Sequence, residues 1–278
     1  MPVTKQSQST FSDLSKLLKL RELLGLSYGS EDICVLFYSL IRREKPSLVV
    51  ELGAGLGVTS VWMARALMEN GFGHLYTVED FRHSDRLMEI LREHQSELTG
   101  ILDVSVISNQ KEYLHQLISN FGLVDYASIC STTIALGNQD LLPNVDFVSA
   151  KEGIDFLFSD FSKSPQIVAE LLAYFLPLMS DTASIFIDSA STHFPSFLAL
   201  ETLISQLQAG KTPSAFVELL SESKLENMER IIRRRHFRLV HLYERKTRNQ
   251  NSTAWIRIEP VDWKPPQGIR LHGLNSQS

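Results

Sequence analysis

Residues 48 to 60 constrain the chain more than any other stretch. They read Leu-Val-Val-Glu-Leu-Gly-Ala-Gly-Leu-Gly-Val-Thr-Ser. Leu48, Val49 and Val50 make a short apolar run that suits a parallel strand buried on both faces. Gly53, Ala54, Gly55, Leu56 and Gly57 then form a tight turn. From Val58 to Glu69 the apolar residues Val61, Ala64 and Leu67 fall at helical spacing. A strand, a glycine turn and a helix in this order predict a doubly wound α/β sheet. The glycines let the backbone bend sharply and approach a ligand with no Cβ in the way.

Details of the turn narrow the ligand. A dinucleotide fingerprint has the form G-x-G-x-x-G, but here the third glycine, Gly57, comes one residue early and Val58 holds the expected place. Glu51 precedes the turn, where a carboxylate repels a pyrophosphate and suits an ammonium group. The pattern E-x-G-x-G-x-G resembles motif I of class I S-adenosylmethionine-dependent methyltransferases. The longer string ELGAGLGVTSVWMA is similar to their catechol O-methyltransferase branch. That resemblance implies S-adenosyl-L-methionine as cofactor, held by Glu51, Gly53, Ala54, Gly55, Gly57, Thr59, Glu79 and Asp160. In it Glu51 meets the ammonium by way of water, and Thr59 matches a serine that binds the methionine carboxylate. Glu79 lies 22 positions beyond Gly57, at the end of the strand His74 to Val78, and is placed to accept both ribose hydroxyls. Asp80 is the reserve for that role.

The rest of the chain reads as one large α/β domain with appendages. Residues 1 to 45 form an N-terminal helical cap, with helices over Phe11–Leu26 and Ser30–Arg43 and a break around Tyr28. The core domain runs from 46 to 262, and 263 to 278, with Pro265 and Pro266, is a loose tail. A helix is expected over Ser84–Leu98. The third strand is ambiguous: Val104–Ile107 and Tyr126–Ile134 both suit it, the latter with a helix from Lys111 to Asn120 ahead of it. Part of 121 to 150 reads as a lid over the site or, equally, as a surface excursion. Ile154–Phe158 and Ala183–Ile187 are the fourth and fifth strands, with a helix from Ser164 to Met179 between them. Helices over 195–208 and 215–235 follow. Phe237–Tyr243 and Thr253–Ile258 then alternate as an antiparallel pair. The fold expected is a Rossmann-like seven-stranded methyltransferase sheet with helices on both faces and a terminal antiparallel hairpin.

Charge and composition exclude several classes of partner. The net charge of −5 gives no general pull towards nucleic acid or an anionic membrane. The run Arg230, Arg233, Arg234, Arg235, His236, Arg238 reads as a solvated helix end whose cations complement the dipole. Two cysteines, Cys34 and Cys130, make neither a disulfide framework nor a zinc site. No apolar run is long enough to span a bilayer, and no signal pattern opens the chain, so a cytoplasmic protein is expected. The partners expected are a small-molecule substrate and, for the assembly, a homodimer.

Ligands in open α/β sheets sit at the carboxyl ends of the strands, and Glu51, Glu79, Asp160 and Asp188 all fall there. The stretch Asp155 to Lys163 resembles the D-F-x-F-x-D-A-D-K segment of metal-dependent O-methyltransferases. In those enzymes an aspartate matching Asp160 helps bind a divalent cation. Asp188 stands for a second ligand of that cation, but Ser189 replaces the asparagine, and Phe161 and Ser162 also depart from the segment. No metal is therefore expected, and Asp160 is assigned to the substrate or the amino-acid tail of the cofactor. His193, just past the fifth strand, is a candidate base. Tyr126 and Asn138, with Gln139, are polar candidates on the lid. These features point to methyl transfer to an oxygen or nitrogen of a small molecule, with a place in specialised metabolism expected. Two alternatives keep the fold: cyclisation of S-adenosylmethionine to azetidine-2-carboxylate with release of methylthioadenosine, and a non-catalytic binding protein.

Overall fold

A computed structural model describes residues 14–25, 32–134, 136, 153–243 and 252–262. Its centre is a seven-stranded sheet. The strands are β1 (Leu48–Leu52), β2 (His74–Glu79), β3 (Ala127–Ser131), β4 (Ile154–Ser159), β5 (Met179–Asp188), β6 (Arg235–Tyr243) and β7 (Ser252–Pro260). They lie in the order β3-β2-β1-β4-β5-β7-β6. The first five are parallel, and β7 runs antiparallel between β5 and β6. The strand order reverses between β1 and β4, which opens a crevice at their carboxyl ends.

Alternation along the strands divides the interior into two layers. On one face Val49, Phe156, Phe158 and Phe186 meet α1 (14–25, ending in a π-helical turn, Arg21–Gly25), α2 (Ile33–Glu44), α3 (Val58–Asn70), α4 (Ser84–Glu93) and α5 (Gln110–Asn120). Phe37 of α2 is the plug of this layer. Its ring lies edge-on to Phe156, Phe158 and Phe186, with centroids 4.7–5.2 Å apart. The N-terminal helices thus share the core of the sheet, as the buried Leu17, Leu20 and Leu24 also show. On the other face Val50, Leu52, Leu157 and Ile185 meet α6 (Pro165–Phe175), α7 (Phe194–Gln208), α8 (Ser214–Leu219) and α9 (Glu222–Arg234).

Several expectations need correction. Of the two stretches that suited the third strand, Tyr126–Ile134 holds it, as Ala127–Ser131, and Val104–Val106 is a single 3-10 turn. The beginning of the expected lid therefore belongs to the core, where Phe121 and Leu123 are buried. The helix from Ser84 breaks at His94, leaving Gln95–Leu98 as a separate turn. The expected helix over 215–235 is two, α8 and α9. The basic run is not simply a solvated helix end either. Arg235 opens β6 and donates to the carbonyls of Leu176 (3.1 Å) and Met179 (2.8 Å) while pairing with Asp181 at 3.0 Å. Tyr28, Asn138, Gln139 and the tail lie outside the described residues.

Candidate active site

The crevice is built around the turn from β1 to α3. Gly53 has φ +93°, and a Cβ there would lie 3.0 Å from the carbonyl oxygen of Asp160. Gly57 has φ +71°, and a Cβ would strike Leu114 and Leu117 of α5 at 2.7 and 2.9 Å. Both positions exclude side chains by conformation and by space. Between them the turn is closed by Gly57 N–H donating to the Ala54 carbonyl at 2.7 Å.

Glu51 lies beneath this turn and is fully buried. Its carboxylate accepts from Thr59 Oγ1 (2.5 Å), Ser60 Oγ (2.5 Å) and Thr77 Oγ1 (2.7 Å). Thr77 sits opposite it on β2, and Thr59 and Ser60 belong to the first turn of α3. The acid therefore faces the amino end of a helix, a favourable place for negative charge. Burial nonetheless raises its pKa, against the three hydroxyl bonds, and the neighbouring Glu79 adds to the rise. Glu51 thus lies directly beneath the turn with its carboxylate turned to three hydroxyls, and the Thr59 hydroxyl is committed to Glu51.

Glu79 ends β2 next to the turn. Its Oε2 accepts from Gly55 N–H at 3.0 Å, and its Oε1 accepts from the N–H groups of Asp80 and Phe81, each at 3.1 Å. Phe81 takes φ +59° to make this possible, a strained backbone for a bulky residue. Asp80 is turned to Arg82, whose Nε is 2.5 Å from Oδ2.

Asp160 follows β4 and Asp188 is the last residue of β5, strands that the register Ser159–Ile187 places side by side. Asp160 N–H donates to the Leu52 carbonyl at 2.8 Å, so this residue also borders the glycine turn. Burial raises the pKa of Asp160 well above its ordinary value, and the Asp188 and Glu51 charges raise it further while Lys163 opposes them. Burial raises Asp188 too, against hydrogen bonds from Ser189 and Thr253 and the charge of Lys163. The Asp188 charge is among the causes that raise Asp160, so the pair resists carrying two negative charges at once. Ser189 donates to Asp188 Oδ2 at 2.6 Å from a residue with φ +54°. Among the described residues no group of three His, Cys, Asp or Glu is placed to hold a metal ion.

The remaining candidates separate. His193 caps α7 on the rim of the crevice and is exposed; its Nδ1 is 2.7 Å from Ser196 Oγ in the same helix. Tyr126 is not at the site. It precedes β3, and its carbonyl accepts from Leu75 N–H at the opposite end of the sheet, one strand length (about 16 Å) from the crevice. The structure adds residues not anticipated from sequence: Ser60, Thr77, Lys163 and, from α5, Gln110 and Tyr113. A polar Gln110 on the otherwise apolar stripe Gln110, Tyr113, Leu114, Leu117 was the available signal for the last two.

The family model described as a methyltransferase domain matches residues 50–190, just over half of the chain, from the end of β1 through β5, and includes Glu51, the glycine turn, Glu79, Asp160 and Asp188. The chain belongs to this methyltransferase family. No curated protein sequence matches it. Among solved structures it is similar to TomG, an O-methyltransferase from Streptomyces achromogenes involved in tomaymycin synthesis and crystallised with SAM. The identity is 17%, the TM-score 0.50, and 87% of this chain and 89% of that one are covered. It is also similar to cofactor-bound Rv0187 from MTB, at 15% identity and a TM-score of 0.50, over 90% and 89% of the two chains. At such identities the likeness concerns the fold alone. Among its described residues no helix is long and apolar enough to cross a membrane.

Proposed function

We propose that this methyltransferase uses S-adenosyl-L-methionine to methylate an oxygen, or failing that a nitrogen, of a small molecule. The observation that carries the reading is the ring of Glu51, Glu79, Asp160 and Asp188 around the glycine turn, within a domain of methyltransferase type. Four acidic groups at one crevice suit a ligand with two cationic centres, a sulfonium and an ammonium. They would repel phosphate.

Glu79 would accept from the ribose. Three of the four acceptor positions of its carboxylate are already used by backbone N–H groups, which fix the carboxylate and leave one position open to a ribose hydroxyl. The N–H groups of the turn and of Thr59 would receive the amino-acid carboxylate. Asp160 and Asp188 would face the ammonium and the acceptor. When bound, the cofactor supplies an activated methyl on a sulfonium, which leaves the protein mainly the task of alignment and exclusion of water. An acceptor hydroxyl also has to lose its proton. The Asp160–Asp188 pair, once ionised, is the nearest base, with His193 at the rim as the second.

Calorimetric titration with S-adenosylhomocysteine tests the cofactor assignment, and absence of binding would overturn it. Mass spectrometry after incubation with S-adenosylmethionine and a panel of phenols and amines tests the reaction. S-adenosylhomocysteine formed only with an acceptor is expected. Methylthioadenosine formed without any acceptor would replace methyl transfer by cyclisation of the cofactor.

A further inference from the structure

Helix α5 grips the glycine turn along one stripe. Gln110 Nε2 donates to the Gly55 carbonyl at 2.9 Å, and Tyr113 Oη donates to the Leu56 carbonyl at 2.9 Å. Leu114 and Leu117 fill the space that the missing Cβ of Gly57 leaves. These four residues are spaced i, i+3, i+4, i+7, so they share one helix face. Three successive residues of the turn are thus each matched by a side chain of a helix that lies outside the strand–turn–helix unit. The peptide groups of Gly55 are held from two sides, its N–H by Glu79 and its carbonyl by Gln110.

Gln110 is costly to keep in this place. It is fully buried, and among the described residues its Oε1 has no hydrogen-bond partner. An apolar residue would fill the stripe without that penalty. Its main chain is fixed as well: its N–H donates to Ser84 Oγ at 3.2 Å, and Asn109 caps the helix by accepting from Glu112 N–H at 2.9 Å. What the amide provides in exchange is one donor, aimed at one carbonyl of the turn.

We infer that Gln110, assisted by Tyr113, is a positioning residue that holds Gly55 in the shape that receives the nucleoside. The inference rests on the cofactor reading above. With the carbonyl of Gly55 anchored on α5, the Gly55 N–H and the Glu79 carboxylate stay beside each other before a ligand arrives. The ordering of the turn is then complete in advance and does not weaken binding. Without the anchor the flexible glycines would have to be ordered on binding.

The test compares wild type, Gln110→Leu, Gln110→Glu and Tyr113→Phe by calorimetric titration with S-adenosylhomocysteine and by melting of the ligand-free proteins. Gln110→Leu should bind roughly tenfold more weakly while melting close to wild type, since the unpartnered oxygen leaves with the amide. Gln110→Glu separates positioning from packing. Its ionised carboxylate cannot donate to the Gly55 carbonyl but its protonated form can. Its affinity relative to wild type should therefore recover as pH falls from about 8 to about 5.5. Tyr113→Phe should weaken binding in the same direction, and it keeps the test open if Gln110→Leu does not fold. Wild-type affinity in Gln110→Leu, or a deficit in Gln110→Glu that does not change with pH, would overturn the inference and leave the cofactor reading standing. Failure of the wild type to bind would overturn both.

Discussion

Thr59 Oγ1 lies 2.5 Å from Glu51 Oε1, and this bond ties the end of β1 to the first turn of α3 across the glycine turn. With Ser60 and Thr77 it encloses a carboxylate in three hydroxyls. Removing the acid leaves three buried hydroxyls without their acceptor. Glu51→Ala should therefore cost on the order of 3 kcal/mol of stability, measured by denaturant unfolding. Glu51→Gln keeps the size and an acceptor oxygen, and burial already favours an uncharged group here, so it should cost clearly less. Equal losses in the two variants would show that filling the space, and not the hydroxyl ring, is what matters.

Glu79 has two duties that one substitution removes together. It orders the backbone of Gly55, Asp80 and Phe81, and it would accept from the ribose. Glu79→Ala should weaken S-adenosylhomocysteine binding by roughly a hundredfold and also lower the stability of the ligand-free protein by about 1–2 kcal/mol. Glu79→Gln retains one acceptor oxygen and should fall between. Calorimetry and thermal melting on the same samples separate the two effects. Unchanged affinity in Glu79→Ala would place the nucleoside elsewhere.

The sheet was largely legible in the sequence because parallel strands buried on both faces read as apolar runs, as at Val49–Val50 and Phe156–Phe158. The third strand was not. Ala127–Ser131 is an edge strand carrying Ser128 and Ser131, and its pattern is no stronger than that of Val104–Val106, which forms only a turn. The carboxylates at the strand ends were legible because topology fixes where a strand's last residue points. Their hydrogen bonds were not, since sequence spacing cannot tell that Thr59 turns inwards to Glu51. Tyr126 was misplaced for a related reason. It was counted with a lid over part of 121 to 150, whereas it directly precedes β3 and so lies at the amino edge of the sheet.

Tyr38 Oη donates to Glu69 Oε2 at 2.5 Å and joins α2 to α3. Arg65 pairs with the same carboxylate at 2.8 Å, and Arg42 approaches it at 3.4 Å. Burial and the Glu69 hydrogen bond push the Tyr38 phenol up to about 12. Burial acts to raise Glu69, but its bonds from Tyr38 and Arg65 and the charges of Arg65 and Arg42 hold it below the ordinary range. The proton thus stays on the phenol throughout the working pH range. Tyr38→Phe should cost about 1 kcal/mol of stability, with cofactor affinity nearly unchanged, because this contact lies at the far end of α3 from the glycine turn. A large loss of affinity with intact melting would show that α2 reports to the site.

The Asp160–Asp188 pair sets a pH dependence whose sign follows from the direction of its shifts. Both folded-state values lie above the ordinary 3.8, first because of burial and then, for Asp160, because of Asp188 and Glu51. A raised carboxyl pKa means that the folded state holds the proton more tightly than the unfolded chain does. The associated stability is complete below about pH 3.8 and is lost as pH rises through the folded-state values. The ligand-free protein should therefore lose part of its stability between weakly acidic and neutral pH, when other groups are allowed for. Asp160→Asn removes the mutual repulsion. It should raise the ligand-free stability near neutral pH by on the order of 1 kcal/mol and flatten the decline. A cation entering the crevice relieves the same repulsion. In the wild type the stabilisation by S-adenosylmethionine should consequently grow with pH over that range, and in Asp160→Asn it should be smaller and flatter. Thermal melting of both proteins, with and without cofactor, across about pH 5 to 8 measures all four curves. Parallel curves for the two proteins would mean that the pair ionises as independent, solvated acids and that the crevice does not concentrate their charge.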